Sequence, residues 1–148
     1  MGVEENKAIV RMFYDEVMNR GNLDVIDKTT AENFVDHSPM PGQAPGLEGV
    51  KQGFLLMRAA FPDGQTTIDD LIAEGDKVVV LATMTGTHQG DLMGIPATGK
   101  SVKISGIDVV RFHEGQVVER WGQWDNAALL QQLGVAPPSP SQQEPKIE

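Results

Sequence analysis

Cysteine is absent from the 148-residue chain, which excludes disulfides, thiolate nucleophiles and cysteine-based zinc sites and leaves the chain indifferent to redox compartment. Positive charge is scarce: 12 basic residues face 21 acidic ones, for a formal net charge of −9. The Lys and Arg are scattered singly, so no basic patch exists to neutralise phosphates, and nucleic acid is not an expected partner. No apolar run is continuous enough to span a bilayer. The opening MGVEENKAIV is charged and lacks the apolar segment of a signal peptide, so a soluble, cytoplasmic protein without membrane contact is expected. Aromatic residues make up only 5%. A cavity would therefore be lined mostly by aliphatic groups and by some of the seven methionines, such as Met57 and Met84, an adaptable lining rather than a rigid mould.

At 40% hydrophobic, the chain suits one globular domain over residues 1–134 that can bury a core and enclose a small-molecule cavity. Ile9, Val10, Phe13 and Val17 recur at helical spacing within residues 4–20, with acids in the first turn and Gly21 past the end. A short helix at about 23–28 and an extended piece through Phe34 and His37 follow. The loop PMPGQAPG admits neither helix nor ladder. Beyond it Val50, Phe54, Met57 and Phe61 mark a second long helix that Pro62 stops. From Thr66 the period changes to two, and four strands are expected, joined in pairs at EGDK and HEGQ. Helices first and antiparallel strands afterwards indicate an α+β fold, a curved antiparallel sheet with helices packed on one face. The tail over 135–148, rich in proline and polar residues, is expected to be disordered or loosely draped.

GIPATGKS, Gly94 to Ser101, matches the P-loop pattern, but a P-loop leads from a strand into a helix whose N-terminal amides hold phosphate. Here VKISGIDVV follows and reads as a strand. Nucleotide binding is not expected. His37, His88 and His113 are far apart, without the spacing that preorganises a metal. His113 falls in a hairpin turn and is expected in solvent. His37 and His88 sit at strand ends beside loops, where each either reaches a cavity mouth or bonds a loop carbonyl. Asp108 lies on a strand face with Ile104, Val110 and Phe112; it is either an ion-pair partner of a cross-strand Arg or a carboxyl in a pocket. Asp125 precedes the helix NAALLQQLG and suits an N-cap. In a regular strand Trp121, Gln123 and Asp125 share one face, and a carboxylate against an indole becomes a candidate acid or base.

FVDHSP, FPD, AEGDKVVV, GTHQG, GIPATGK and GQVVERWGQWDNAALLQQLG, in this order over about residues 5–134, resemble the SnoaL-like polyketide cyclase (ester cyclase) family. The resemblance implies the nuclear-transport-factor-2-like fold, a cone of curved antiparallel sheet wrapped by helices around a deep pocket. It implies cyclisation of a polyketide ester by intramolecular aldol condensation, without metal or organic cofactor, and it aligns the family's acid/base aspartate with Asp125. His37 is then expected to assist. Tyr14, Phe54, Met57, Phe61, His88, Asp108, Trp121 and Gln123 are expected to shape a site for a small hydrophobic carbonyl compound.

Two other functions suit the same fold. A non-catalytic small-molecule-binding module would lack converging polar groups. An epoxide hydrolase or dehydratase would need a water held by two or more polar residues, such as Asp108 and Asp125 facing each other. A homodimer is expected, with a sheet face buried between subunits.

Overall fold

The computed structural model describes residues 2–135; the expected tail, apart from Val135, lies outside the described residues. Helix α1 covers Val3–Phe13 and widens without a break into a π-helical turn over Tyr14–Asn19. Gly21, at φ 75°, ends it, because a left-handed residue there is cheap only for glycine. Then come α2 (Asp24–Thr29), β1 (Thr30–Asp36), α3 (Gly46–Ala60), β2 (Gln65–Glu74), β3 (Lys77–Thr87), β4 (Ser101–His113), β5 (Gln116–Trp124) and α4 (Asn126–Leu133). The expected helices and strands are all present, and the chain is α+β.

The five strands form one open sheet in the order β1-β5-β4-β3-β2. β2 to β5 are an antiparallel meander. The last hairpin turns through Glu114 and Gly115, at φ 51° and 80°, the left-handed pair that a two-residue turn requires. The expectation of a wholly antiparallel sheet needs correction, because β1 lies parallel to β5, with Val35 beside Glu119 and Asp36 beside Arg120. No hairpin links these two strands, so nothing forces them to oppose.

One sheet face carries the core. Val78, Val80 and Ala82 of β3 pack with Val10, Tyr14, Phe34, Phe112 and Val117. A second cluster joins Phe61, Met84, Leu92 and Ile104 to Leu129 and Leu133 of α4. On the opposite face Ile72 and Ile107 are about half exposed. The GIPATGKS segment leads into β4 and not into a helix, so it lacks the amides a P-loop needs. Among the described residues no helix is long and apolar enough to cross a membrane.

Candidate active site

The covered face of β4 and β5 holds a buried polar cluster. Asp108, 4% exposed, lies mid-strand. Its Oδ2 accepts from the Tyr14 hydroxyl at 2.5 Å. Its Oδ1 accepts from Arg120 Nη2 at 2.8 Å, Arg120 Nε at 3.3 Å and Trp124 Nε1 at 3.2 Å. Arg120 Nη1 faces the other way and donates to both oxygens of Asp36, at 3.1 and 3.2 Å, and to the Ser38 carbonyl at 3.1 Å. The result is a carboxylate–guanidinium–carboxylate row.

Two glycines make room for this cluster. A Cβ on Gly122 would lie 2.2 Å from Arg120 Nη2 and 2.6 Å from Asp108 Oδ1, and one on Gly106 would lie 2.1 Å from the Trp124 indole. All three distances are well inside van der Waals contact.

Burial, and next the charge of Asp108, push the Tyr14 phenol far above its ordinary range, so it is a neutral hydrogen-bond donor. Burial works against the Arg120 charge, but Asp108 and Asp36 outweigh it and raise its pKa. Tyr14 is the only tyrosine, which makes its state observable. A raised folded pKa gives stability that is fully present below the unfolded phenol's pKa of about 10 and is lost as pH rises beyond it. Phenolate absorbance should therefore appear together with cooperative unfolding, monitored by circular dichroism at alkaline pH. A phenolate signal titrating near pH 10 in folded protein would contradict the burial.

The cluster forms the charged part of a largely apolar cavity of about 190 Å³, with Phe13, Val50, Val80 and Val110 among its walls. A second cavity of about 330 Å³, reaching Phe61, Met84 and Leu129, adjoins it. The two share Met18, Met40, Phe54, Met57, Arg120 and Trp124. They form two lobes of one site.

Of the residues expected from sequence, Tyr14, Asp108, Phe54, Met57 and Phe61 line these lobes. Asp108 is both the ion-pair partner of a neighbouring-strand Arg and a cavity carboxyl. Asp125 does not enter either lobe: it is exposed, and its Oδ1 caps α4 by accepting the Ala128 N–H at 3.0 Å. Gln123 is exposed on the outer face. Trp121 also faces outward, stacked on His37 with centroids 4.8 Å apart and planes within 9°. His37 is exposed and bonds Glu119 at 2.8 Å. That bond and the one from Arg111 hold the Glu119 carboxyl below its usual range. His88 is fully buried, but its Nδ1 accepts the Thr98 N–H at 3.2 Å, which fastens a loop. Exposed His113 lies in the hairpin.

The placement of Trp121, Gln123 and Asp125 toward the cavity is corrected by one backbone feature. The register of β4 and β5 slips between Phe112, opposite Val117, and Arg111, opposite Glu119, leaving Val118 as an extra residue. A one-residue bulge exchanges the two faces of everything beyond it. Arg120, Gly122 and Trp124 turn inward in place of Trp121, Gln123 and Asp125. Arg120 and Trp124 were thus missed, and so were Asp36 and Ser38, which β1 brings in by pairing with β5 in parallel. The one available signal was that Asp108 in an apolar strand face demands a cation nearby. Among the described residues no group of three or more His, Asp or Glu side chains is arranged to hold a metal ion.

An open sheet and helices enclosing an apolar cavity with a buried carboxylate cluster define a small-molecule-binding domain of the nuclear-transport-factor-2-like fold. The profile described as SnoaL-like polyketide cyclase matches residues 8–133, and the chain belongs to that family. TsrD from Streptomyces laurentii is 26% identical, with a TM-score of 0.84 over 92% of this chain and 99% of its own. A candidate polyketide cyclase from Acidithiobacillus ferrooxidans is 34% identical, with a TM-score of 0.79 over 93% and 100%. AclR, a candidate hydroxylase from Streptomyces galilaeus, is 31% identical, with a TM-score of 0.80 over 92% and 100%. Among curated proteins no significant match is found.

Proposed function

We propose that the protein is a cofactor-independent, polyketide-cyclase-like enzyme that moves a proton next to a carbonyl, with Asp108 as the acid/base. The observation that carries this reading is a buried carboxylate in an apolar cavity wall whose Oδ2, among the described residues, accepts a single hydrogen bond, from Tyr14. A carboxylate oxygen has room for a second partner. Oδ1, with three N–H contacts, is the anchored oxygen, and Oδ2 is the base.

In the proposed cycle Oδ2 takes a proton from a carbon flanked by carbonyls, and the C–H electron pair moves into the enolate. Tyr14, released from the now neutral acid, and Arg120 donate toward the enolate oxygen. The enolate carbon attacks an aldehyde or ketone of the same molecule, the new alkoxide takes the proton back, and Asp108 is regenerated. The apolar walls hold the folded chain near its attack geometry. Asp125 is left as a helix cap and His37 as a surface residue. The test is exchange into D2O of the acidic hydrogens of a β-keto ester: the protein should accelerate it, and no acceleration above buffer would contradict the proposal.

A second reading, epoxide hydration or dehydration, is favoured by the Asp36–Arg120–Asp108 row. One carboxylate would take a proton from the attacking water while the other, in its protonated form, gives its proton to the leaving oxygen. Asp125 takes no part in that row. A binding module without chemistry predicts ligand uptake and no exchange.

We also propose a cytoplasmic homodimer that pairs through the outer sheet face, where Ile72 and Ile107 are 54% and 47% exposed. Ile107→Lys, which puts a charge into that face, should give monomer by light scattering while the fold is kept. An unchanged dimer would move the interface elsewhere.

A further inference from the structure

The outer lobe contains a cation that the proposed chemistry does not use. Arg58, on α3, is half-buried and lines the 330 Å³ lobe. Its Nη1 donates to the carbonyls of Met18 and Asn19, both at 3.4 Å. Arg120, the other arginine in the lobe, is balanced by Asp36 and Asp108. Arg58 has no carboxylate within 4.0 Å among the described residues. In a chain of net charge −9 this is an unusual cation, because a partly desolvated charge without a counterion is costly to keep.

The backbone is shaped to hold it. Gly21, already left-handed at φ 75°, lies so close that a Cβ there would sit 2.7 Å from Arg58 Nε. The guanidinium is therefore packed against main chain. Nε and Nη2 make no hydrogen bond to a described residue. Arginine's N–H groups lie in a fixed fork that matches a carboxylate's two oxygens.

We infer that the substrate is an elongated, largely apolar molecule with a carboxylate, which Arg58 binds in the outer lobe while the reactive carbonyl reaches Asp108 in the inner one. For the position of the reactive end, this rests on the proposed role of Asp108. The inner lobe, about 190 Å³, is comparable to a 150 Å³ cavity that takes up one benzene ring. It holds one ring. The remaining length and the carboxylate occupy the outer lobe, past the shared waist of Met18, Met40, Phe54 and Met57.

The test is binding of phenylhexanoate against its methyl ester, read from Trp124 fluorescence in a Trp121→Phe background, since Trp124 borders both lobes. The acid should bind at least about tenfold tighter than the ester, a difference of about 1.4 kcal/mol. Arg58→Met, which keeps the aliphatic stem, should remove the preference, and Arg58→Lys should keep part of it. Asp108→Asn should leave the preference intact, so retained chemistry in that variant, with selectivity also retained, counts against the acid/base assignment alone. Equal binding of acid and ester, no binding of either, or a preference that survives Arg58→Met would overturn the inference.

Discussion

Arg120→Met is expected to destabilise the protein by about 3–5 kcal/mol, the cost of breaking a buried ion pair from one side. For a domain of this size that lowers Tm by roughly 10–20 °C. The size of the effect follows from what the guanidinium touches. It pairs with both Asp36 and Asp108, whose side chains are 11% and 5% exposed, and it also holds the Ser38 carbonyl. Methionine matches the stem but leaves two buried carboxylates uncompensated. Removing the carboxylates as well, in Asp36→Asn/Asp108→Asn/Arg120→Met, should recover part of the loss, because the unpaired charges and not the missing bonds dominate. Thermal denaturation of the two variants measures this, and a loss below about 1 kcal/mol would mean that the row contributes no more than a surface pair.

Asp108→Asn is expected to reduce proton transfer by about 10²–10⁴-fold, the usual contribution of a positioned acid or base. Asparagine keeps the size and one acceptor oxygen for Arg120 and Trp124, but offers Tyr14 an NH2 group and has no basic site for a substrate proton. Stability should fall too, since Arg120 then has only Asp36. Rates must therefore be compared well below the variant's Tm, with circular dichroism confirming the fold. A Tyr14→Phe variant should lose less, because it removes a donor and spares the base. Equal losses in the two variants would move the proton-transferring role toward the phenol.

Helical spacing was enough to find α1 and α3, because Ile9, Val10 and Phe13 in the first and Val50, Phe54 and Met57 in the second recur at the helical period. The β period was equally legible from Thr66 onward, and Tyr14, Phe54, Met57 and Phe61, expected to shape a site, line the two lobes. What failed was parity. Alternation says which residues share a face but not which face is covered, and the extra residue Val118 changes the answer halfway along β5. A bulge has no required residue type here, so ERWGQWD carries no mark of it. Asp36 and Ser38 were hidden for another reason: β1 meets β5 in parallel, a pairing between distant segments that no local pattern records. Asp125 looked like both a cap and a catalyst because aspartate suits each, and its exposed position on the outer side of the bulge separates the two.

The most direct measurement is hydrogen exchange of ethyl benzoylacetate in D2O, followed by proton NMR, for wild-type protein, Asp108→Asn and Asp125→Asn side by side. Asparagine caps a helix about as well as aspartate, so Asp125→Asn should exchange the acidic hydrogens within about twofold of wild type, and Asp108→Asn should fall to near the buffer rate. Full exchange by Asp108→Asn together with loss in Asp125→Asn would contradict the assignment of the buried carboxylate as the base.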